Sequence, residues 1–186
     1  MIYEAHEFTL KNGLKVTIKS PEVSDALKLL DNIVNVSKST NYLLSEPEDY
    51  DIYYKDIKLE EDFIASFNTK RDYLLCVYLD DQIIGNSALR FNYHEKDKHR
   101  VNIGIAIQEK YQGLGIGSIL FDIMIELAKN SEGVEQIELD VINTNEKAKR
   151  LYLKKGFKKT GDIPHQLKLK DGTYLDGEMM VLFLEK

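Results

Sequence analysis

Residues 105–118 run from an apolar strand through a polar turn into a glycine-rich stretch at the start of a helix. Gly113, Gly115 and Gly117 lack the side chains that would block a positive φ angle or the close approach of a ligand. Backbone N–H groups at a helix N-terminus, together with the helix dipole, favour a phosphate or pyrophosphate group. The sequence therefore predicts an anion-binding loop between a strand and a helix.

Two common phosphate-binding motifs fit this loop poorly. A P-loop requires a lysine between the last glycine and the following Ser or Thr, and Ser118 follows Gly117 directly. A dinucleotide fold requires Gly-x-Gly-x-x-Gly soon after the strand, whereas the spacing here is Gly-x-Gly-x-Gly and several residues separate Ile107 from Gly113. Asp140, at the end of the next strand, could still imitate the acid that binds ribose in such folds.

A third pattern, Gln/Arg-x-x-Gly-x-Gly/Ala, is met by Gln112, Gly115 and Gly117. Farther along the chain, a second strand and a second helix follow, and this helix has Gly156 where it would end. We predict that Asn143 caps this helix, with Glu146 completing a capping box. The helix carries the second pattern, Asn145-x-x-Ala148-x-x-Leu151-Tyr152-x-Lys154-x-Gly156-Phe157. Both stretches, in this order, resemble the signature of the GCN5-related N-acetyltransferase (GNAT) superfamily.

The resemblance implies direct acetyl transfer from acetyl-CoA to an amine. By resemblance, backbone N–H groups from Gly113 to Ser118 hold the pyrophosphate, and the backbone of Ile105 and Ile107 pairs with the pantetheine arm. The Ile105 N–H is the candidate donor to the thioester oxygen, and the Asn145 side chain would contact the pantetheine arm. The expected coenzyme-binding residues are Ile105, Ile107, Gln112, Gly113, Leu114, Gly115, Ile116, Gly117, Ser118, Asn145, Ala148 and Tyr152.

Tyr152 is the candidate acid for the leaving thiolate by the same resemblance. A phenol with a pKa near ~10 is protonated at neutral pH and can donate to a thiolate of comparable basicity. Core packing is the alternative role for this side chain. The general base is left open, because the position that holds a glutamate in some relatives falls near Val101. Other candidates are His99, Asn102, Asp176, Glu46 and Glu48.

The resemblance also implies an α/β fold: one GNAT-like domain over residues 1–186, with a mixed sheet, splayed parallel central strands at 100–107 and 136–141, and flanking helices. The apolar patterning agrees with it. Asn12-Gly13 predicts an N-terminal β-hairpin at about residues 7–19. We read residues 41–55 as a loop, because they show no clear period, and we expect a tail hairpin across Asp171-Gly172.

Composition is compatible with one cytoplasmic enzyme domain. The chain has 186 residues, 43% of them hydrophobic, and no apolar run long enough to span a bilayer. The only cysteine, Cys76, lies in a predicted buried strand, and a catalytic role for it is remote. The four histidines are scattered, so we expect no metal site.

The net charge of −6 argues against nucleic acid as a ligand and suits a cationic acceptor such as an amine. The segment from Asp171 to Met180 resembles superfamily branches that acetylate amino acids or ribosomal-protein N-termini. We therefore expect the acceptor to be a primary amine of a small molecule, amino acid or peptide N-terminus, and a homodimer is left open. Two alternatives remain: a non-catalytic CoA-binding module, and a nicotinamide-dependent oxidoreductase.

Overall fold

The computed structural model describes residues 1–69 and 71–185, which contain eight strands and five α-helices. The strands are β1 His6–Thr9, β2 Lys15–Lys19, β3 Tyr73–Leu79, β4 Gln82–Phe91, β5 Arg100–Ile107, β6 Gln136–Ile142, β7 Lys158–Lys168 and β8 Tyr174–Phe183. The helices are α1 Ala26–Ser37, α2 Asp51–Lys55, α3 Lys58–Thr69, α4 Ile116–Lys129 and α5 Glu146–Lys154. Within the described residues, no helix is long and apolar enough to cross a membrane.

The chain groups into two compact units. The first unit comprises Met1–Arg90 and Gly104–Leu120, and the second comprises Phe91–Ile103 and Phe121–Lys186. Strand β5 and helix α4 therefore each contribute residues to both units.

In the first unit, strands β1 to β4 pair antiparallel in chain order, and β5 follows β4. The β1–β2 hairpin turns at Gly13, which has a φ of +85°, a conformation that is strained for residues with a side chain. One apolar cluster packs helices α1 and α3 on strand β3, and it includes Leu29, Ile64 and Cys76. Cys76 is fully buried, and burial raises the pKa of its thiol, so it stays a neutral core residue.

In the second unit, β6 lies between a parallel and an antiparallel neighbour. Strand β5 pairs in parallel with β6, from Arg100 opposite Gln136 to Asn102 opposite Glu138. Strand β8 then pairs antiparallel with both β6 and β7. The sheet is therefore mixed, and the prediction of an α/β fold with flanking helices is confirmed.

The structure corrects two local predictions. Residues 41–55 are not all loop, because a short 3-10 turn covers Pro47–Tyr50 and helix α2 follows it. Glu46 and Asp49 form a capping box at this turn. Because capping depends on polar side chains, the turn forms although the segment shows no apolar periodicity. Asn143 does not cap α5; the N-cap is Asn145, whose side chain accepts from the Ala148 N–H.

Candidate active site

The glycine-rich loop follows strand β5 in the first unit. The N–H of Gln108, the first residue after β5, donates to the Ile84 carbonyl at 3.1 Å, and a 3-10 turn then covers Glu109–Tyr111. Gly113 and Gly115 have φ angles of +82° and +100°, which favour glycine. Helix α4 then begins at Ile116. A Cβ at Gly113 would meet no atom within 4 Å, so the loop leaves open space for a ligand there.

Gln112 ties this loop to the end of β5. Its Nε2 donates to the Ile107 carbonyl oxygen at 2.9 Å. The prediction that Gln112 binds the coenzyme stays a prediction, and its amide nitrogen holds the turn that presents the glycines. The carbonyl of Ile107, whose backbone is predicted to pair with the pantetheine arm, accepts this hydrogen bond.

Three side-chain amides connect the residue that follows β5 to helix α1 and strand β4. Gln108 Nε2 donates to Asn32 Oδ1 and to the Ile83 carbonyl, both at 3.1 Å. Asn32 Nδ2 donates in turn to Asn86 Oδ1 at 2.9 Å. Asn32 is fully buried on α1, whereas Gln108 and Asn86 are half-buried, and the apolar pattern of α1 gave no signal for Asn32. Networks of hydrogen-bonded amides orient the elements that carry them, so these contacts position the end of β5.

The N-terminal hairpin also contacts the loop. The backbone N–H of Lys11 donates to the Leu114 carbonyl at 3.1 Å, and the Lys11 side chain passes beside Gly115. No sequence motif connects these residues, because they lie about a hundred positions apart. The first unit thus brings together Lys11 and nine of the predicted coenzyme-binding residues, which are Ile105, Ile107, Gln112, Gly113, Leu114, Gly115, Ile116, Gly117 and Ser118.

The remaining predicted residues lie on or next to α5 in the second unit. Asn145 caps this helix by accepting from the Ala148 N–H at 3.2 Å. Its side-chain oxygen is therefore engaged, while its NH₂ group has no hydrogen-bond partner among the described residues. Gly156 ends the helix with a φ of +90°, as predicted from the sequence.

Tyr152 is the buried residue of α5. It is 7% exposed, and its ring lies 5.1 Å from that of Phe121 and 6.1 Å from that of Phe157, measured between centroids. Burial raises the pKa of Tyr152 to about 12. Its hydroxyl has no hydrogen-bond partner among the residues that the structure describes. The hydroxyl oxygen is not fully enclosed, so it can act as a neutral donor to a ligand or to solvent.

An ion pair holds the two parallel strands of the second unit in register. Arg100 donates to both carboxylate oxygens of Glu138, at 2.7 and 2.6 Å. Burial alone would raise the pKa of Glu138, but the hydrogen bonds from Arg100 and Gln136 bring it below its ordinary value. A bidentate pair has a defined geometry, so it fixes β5 against β6 as well as neutralising the acid.

The candidates for a general base differ in what they already bind. Val101 is fully buried and has no ionisable group, as expected. Asp176 Oδ1 accepts from the His165 N–H at 2.7 Å, and Glu46 belongs to the capping box before α2. Glu48 lines an open, solvent-facing cavity of about 380 Å³ in the first unit. The cavity is lined by Val34, Lys38, Pro47, Glu48, Asp51 and Tyr54.

No group of three or more His, Cys, Asp or Glu side chains that could hold a metal ion occurs in the described part of the chain. The first unit carries a glycine loop with backbone N–H groups, and the second carries a protonated phenol, and acyl transfer from a thioester uses donors of both kinds.

Comparison with known proteins agrees with this arrangement. The chain is 29% identical over 169 residues to an N-alpha-acetyltransferase of Sulfurisphaera tokodaii, an alignment that covers 90% of this chain and 91% of that protein. It is 28% identical over 106 residues to the L-amino acid N-acetyltransferase AaaT of Escherichia coli. That alignment covers 57% of this chain and 65% of the relative, which is slightly less than two thirds of its length.

Solved structures share the fold. A GNAT-family acetyltransferase from Streptococcus pneumoniae superposes with a TM-score of 0.82 at 22% identity, covering 91% of this chain and 99% of that one. The structure of yncA from Salmonella typhimurium, solved with its cofactor acetyl-CoA, gives a TM-score of 0.74 at 18% identity. It covers 92% of this chain and 95% of yncA. At these identities the likeness concerns the fold.

A family model settles the relationship. The model of the acetyltransferase (GNAT) family matches residues 38–157, which include both sequence patterns and most of the predicted site. The prediction of an N-acetyltransferase is thereby confirmed. The chain belongs to the GNAT family of acetyltransferases.

Proposed function

We propose that the protein transfers an acetyl group from acetyl-CoA directly to a primary amine of a small molecule, an amino acid or a peptide N-terminus. The observation that carries this proposal is the unpartnered hydroxyl of the buried Tyr152. The ring of Tyr152 is packed while its hydroxyl oxygen is not fully enclosed, so a fixed, neutral phenol is presented to a ligand as a hydrogen-bond donor. The glycine loop at the start of α4 gives independent support for the coenzyme.

Acetyl-CoA would supply an activated acetyl group bonded to a thiol leaving group. The loop N–H groups from Gly113 to Ser118 bind the pyrophosphate, and the Ile105 N–H stabilises the developing negative charge on the thioester oxygen. The NH₂ group of Asn145 is free to bind an amide of the pantetheine arm. These residues use backbone or neutral donors, so they orient the coenzyme without taking part in proton transfer.

Tyr152 donates its phenolic proton to the sulfur as the carbon–sulfur bond breaks. The acceptor amine attacks as its neutral form, a carbon–nitrogen bond forms, and the amine gives up one proton to a base or to water. The tyrosinate then recovers a proton from solvent. Because burial raises the pKa of Tyr152 to about 12, the phenol is protonated at the start of each cycle throughout neutral and moderately alkaline pH.

The charges around the cavity of the first unit are compatible with the proposed acceptor class. Glu48 and Asp51 lie on its wall with one cation, Lys38, and Tyr54, which also lines it, donates to Asp31 at 2.7 Å. Carboxylates attract a cation, and the chain as a whole is acidic. The amino acid and N-terminal acceptors named for the two curated relatives belong to the same class of amine.

Binding and turnover test the proposal separately. Acetyl-CoA should raise the melting temperature in a saturable way, because ligand at 100 times its dissociation constant adds about 2.7 kcal/mol to the folded state. NAD(H) and ATP should have little effect. A panel of amines, amino acids and short peptides with detection of the released thiol should then show turnover that rises with pH as the amine loses its proton.

Three outcomes would contradict parts of the proposal. Binding of acetyl-CoA without turnover on any amine would favour the non-catalytic CoA-binding alternative. A melting shift with NAD(H) instead of acetyl-CoA would favour the oxidoreductase. Turnover with hydroxyl acceptors alone would overturn the amine assignment while leaving acetyl transfer in place.

A further inference from the structure

The turn of the N-terminal hairpin has a fixed conformation where it contacts the glycine loop. The Leu10 N–H donates to the Leu14 carbonyl at 2.8 Å, and the Gly13 N–H donates to the Leu10 carbonyl at 2.9 Å. Lys11 lies inside this turn, and its own N–H donates to the Leu114 carbonyl at 3.1 Å. The hydrogen bonds of the turn therefore fix the main chain around Lys11, and its own hydrogen bond holds it against the loop.

The side chain of Lys11 runs alongside the loop. Its Cγ and Cε both lie 3.7 Å from the point where a Cβ of Gly115 would stand, which is ordinary van der Waals contact. The ammonium group is one covalent bond beyond Cε. Two contacts along one aliphatic chain mean that Lys11 follows the loop instead of extending away from it, so its charge stays near the Gly115 backbone.

The charge of Lys11 has no carboxylate partner among the residues that the structure describes. The neighbouring Lys110, in contrast, lies over the ring of Tyr111. Exposed lysines such as Lys15 and Lys38 also have no carboxylate partner in the described part of the chain, and Lys11 differs from them in lying beside the glycine loop. Its ammonium is therefore available to an anion bound at that loop.

The loop itself lacks a cation. Residues 112–118 read Gln-Gly-Leu-Gly-Ile-Gly-Ser, and the P-loop lysine that would precede Ser118 is missing. We propose that Lys11 supplies this charge from the hairpin, by pairing its ammonium with a phosphate group of the CoA moiety held at residues 113–118. The inference rests on the proposed function, because it requires that the loop binds CoA.

The test measures the dissociation constant of CoA by calorimetry for four proteins: wild type, Lys11→Met, Lys11→Arg and Lys15→Met. Lys11→Met keeps the backbone N–H and the aliphatic contact and removes only the charge. It should weaken CoA binding about tenfold, the factor that corresponds to ~1.4 kcal/mol, and the difference should shrink as salt is added. Lys11→Arg should bind nearly as wild type does.

Lys15→Met is the matched control, because Lys15 is exposed at the start of β2 in the same hairpin. It should leave CoA affinity unchanged. S-acetylpantetheine, which has neither the nucleotide nor any phosphate group, serves as a second substrate. Because it offers no phosphate to Lys11, Lys11→Met should not alter its kcat/KM. Dephospho-CoA, which lacks the 3′-phosphate, shows which phosphate pairs with Lys11. If Lys11→Met weakens the binding of dephospho-CoA as well, Lys11 pairs with the pyrophosphate. If the loss of affinity is seen only with CoA, Lys11 pairs with the 3′-phosphate.

The proposal is overturned if Lys11→Met binds CoA within about twofold of wild type. An equal loss with Lys15→Met would overturn it as well, because it would mean a general charge effect. Equal losses with CoA and S-acetylpantetheine would show that the hairpin acts by positioning the loop. If wild type does not bind CoA at all, the proposed function fails together with this inference, and that result is distinct from the others.

Discussion

The predicted site residues of the two units differ in kind. The loop of the first unit has main-chain donors on residues that are half-buried or exposed apart from the buried Ile116, and glycines with φ angles of +82° and +100° shape it. Helix α5 of the second unit offers one side chain, Tyr152, whose ring is 7% exposed and packs on two phenylalanines. The first contribution depends on backbone conformation, and the second depends on one functional group in a packed core.

This difference predicts how each half responds to mutation. A loop that works through its backbone should lose function when a side chain is added and should tolerate changes of side-chain chemistry. A site that works through one hydroxyl should lose function when that group is removed, even though its packing surface is kept. The variants below test this contrast, from the largest expected effect to the smallest.

Removal of the Tyr152 hydroxyl should have the largest effect. Tyr152→Phe keeps the ring against Phe121 and Phe157 and deletes the proton donor. The turnover number should fall roughly 100-fold or more, the usual range for loss of acid catalysis, with acetyl-CoA affinity little changed. Steady-state kinetics and calorimetry on the same preparation measure both quantities.

The pH profile sharpens this prediction. Burial raises the pKa of Tyr152 to about 12, so its donor role is present below that pH and is lost only as pH rises through it. Wild-type kcat should therefore show no decline near pH ~10, where an ordinary tyrosine ionises. Turnover of Tyr152→Phe within a few-fold of wild type would mean that Tyr152 serves core packing alone.

Addition of a side chain to the loop should abolish coenzyme binding. Gly115→Val places a branched side chain at a φ of +100° where the pyrophosphate is proposed to approach. Affinity for acetyl-CoA should fall by at least about 100-fold, so the ligand-induced rise in melting temperature should disappear. The positive φ also costs intrinsic stability, roughly 1–3 kcal/mol.

Gly172→Val is the control for that strain. Gly172 has a φ of +89° in the turn between β7 and β8, and a Cβ there would meet no atom within 4 Å. This variant should lose comparable stability and still respond to acetyl-CoA. If both variants retain the ligand-induced shift, the assignment of the loop is wrong.

The smallest effect on activity is expected for two buried acids, in which the units also differ. Glu138 of the second unit has Arg100 as a partner, whereas Glu60 on α3 of the first unit is 4% exposed. Its Oε1 has no partner among the described residues, and burial raises the pKa of Glu60 to about 7. Glu60 occupies the same helix face as Ile64 and Phe67, so its carboxyl group lies in the apolar stripe.

The folded protein should bind the Glu60 proton more tightly than the unfolded chain does, where the pKa stays near 4.5. Stability should therefore fall as pH rises from about 4.5 to about 7, by an amount on the order of 3 kcal/mol. Glu60→Gln should remove this slope in urea unfolding measured between these pH values, and Glu61→Gln should keep it. An unchanged slope in Glu60→Gln would show that its carboxyl group is solvated.

Glu138 should behave in the opposite sense. Its lowered pKa means that it stabilises the folded state above its ordinary pKa and loses this effect as pH falls through the lowered value. Glu138→Gln should therefore lose stability at neutral pH and differ least from wild type in acid. Comparison of the two variants therefore distinguishes the pH dependence of stability that a paired carboxylate causes from that caused by an unpaired one.

Much of the fold and of the site follows from short stretches of sequence. The glycine loop, the N-terminal hairpin of β1 and β2 and the end of α5 at Gly156 match their predictions, because each depends on residues within a few positions of one another. Predictions were weaker where local signals compete. Asn143 and Asn145 both suit an N-cap, and only the folded backbone selects Asn145.

The sequence by itself determined the order of most strands and helices, the glycine loop between β5 and α4 and the position of Tyr152 on α5, since periodicity, capping and glycine conformation act locally. Tertiary structure alone decided that Lys11 lies beside Gly115, that Asn32 binds Gln108 across 76 positions of sequence, and that Glu60 is buried without a partner. These contacts join segments far apart in the chain, and their free energy depends on packing and desolvation, which no local pattern records.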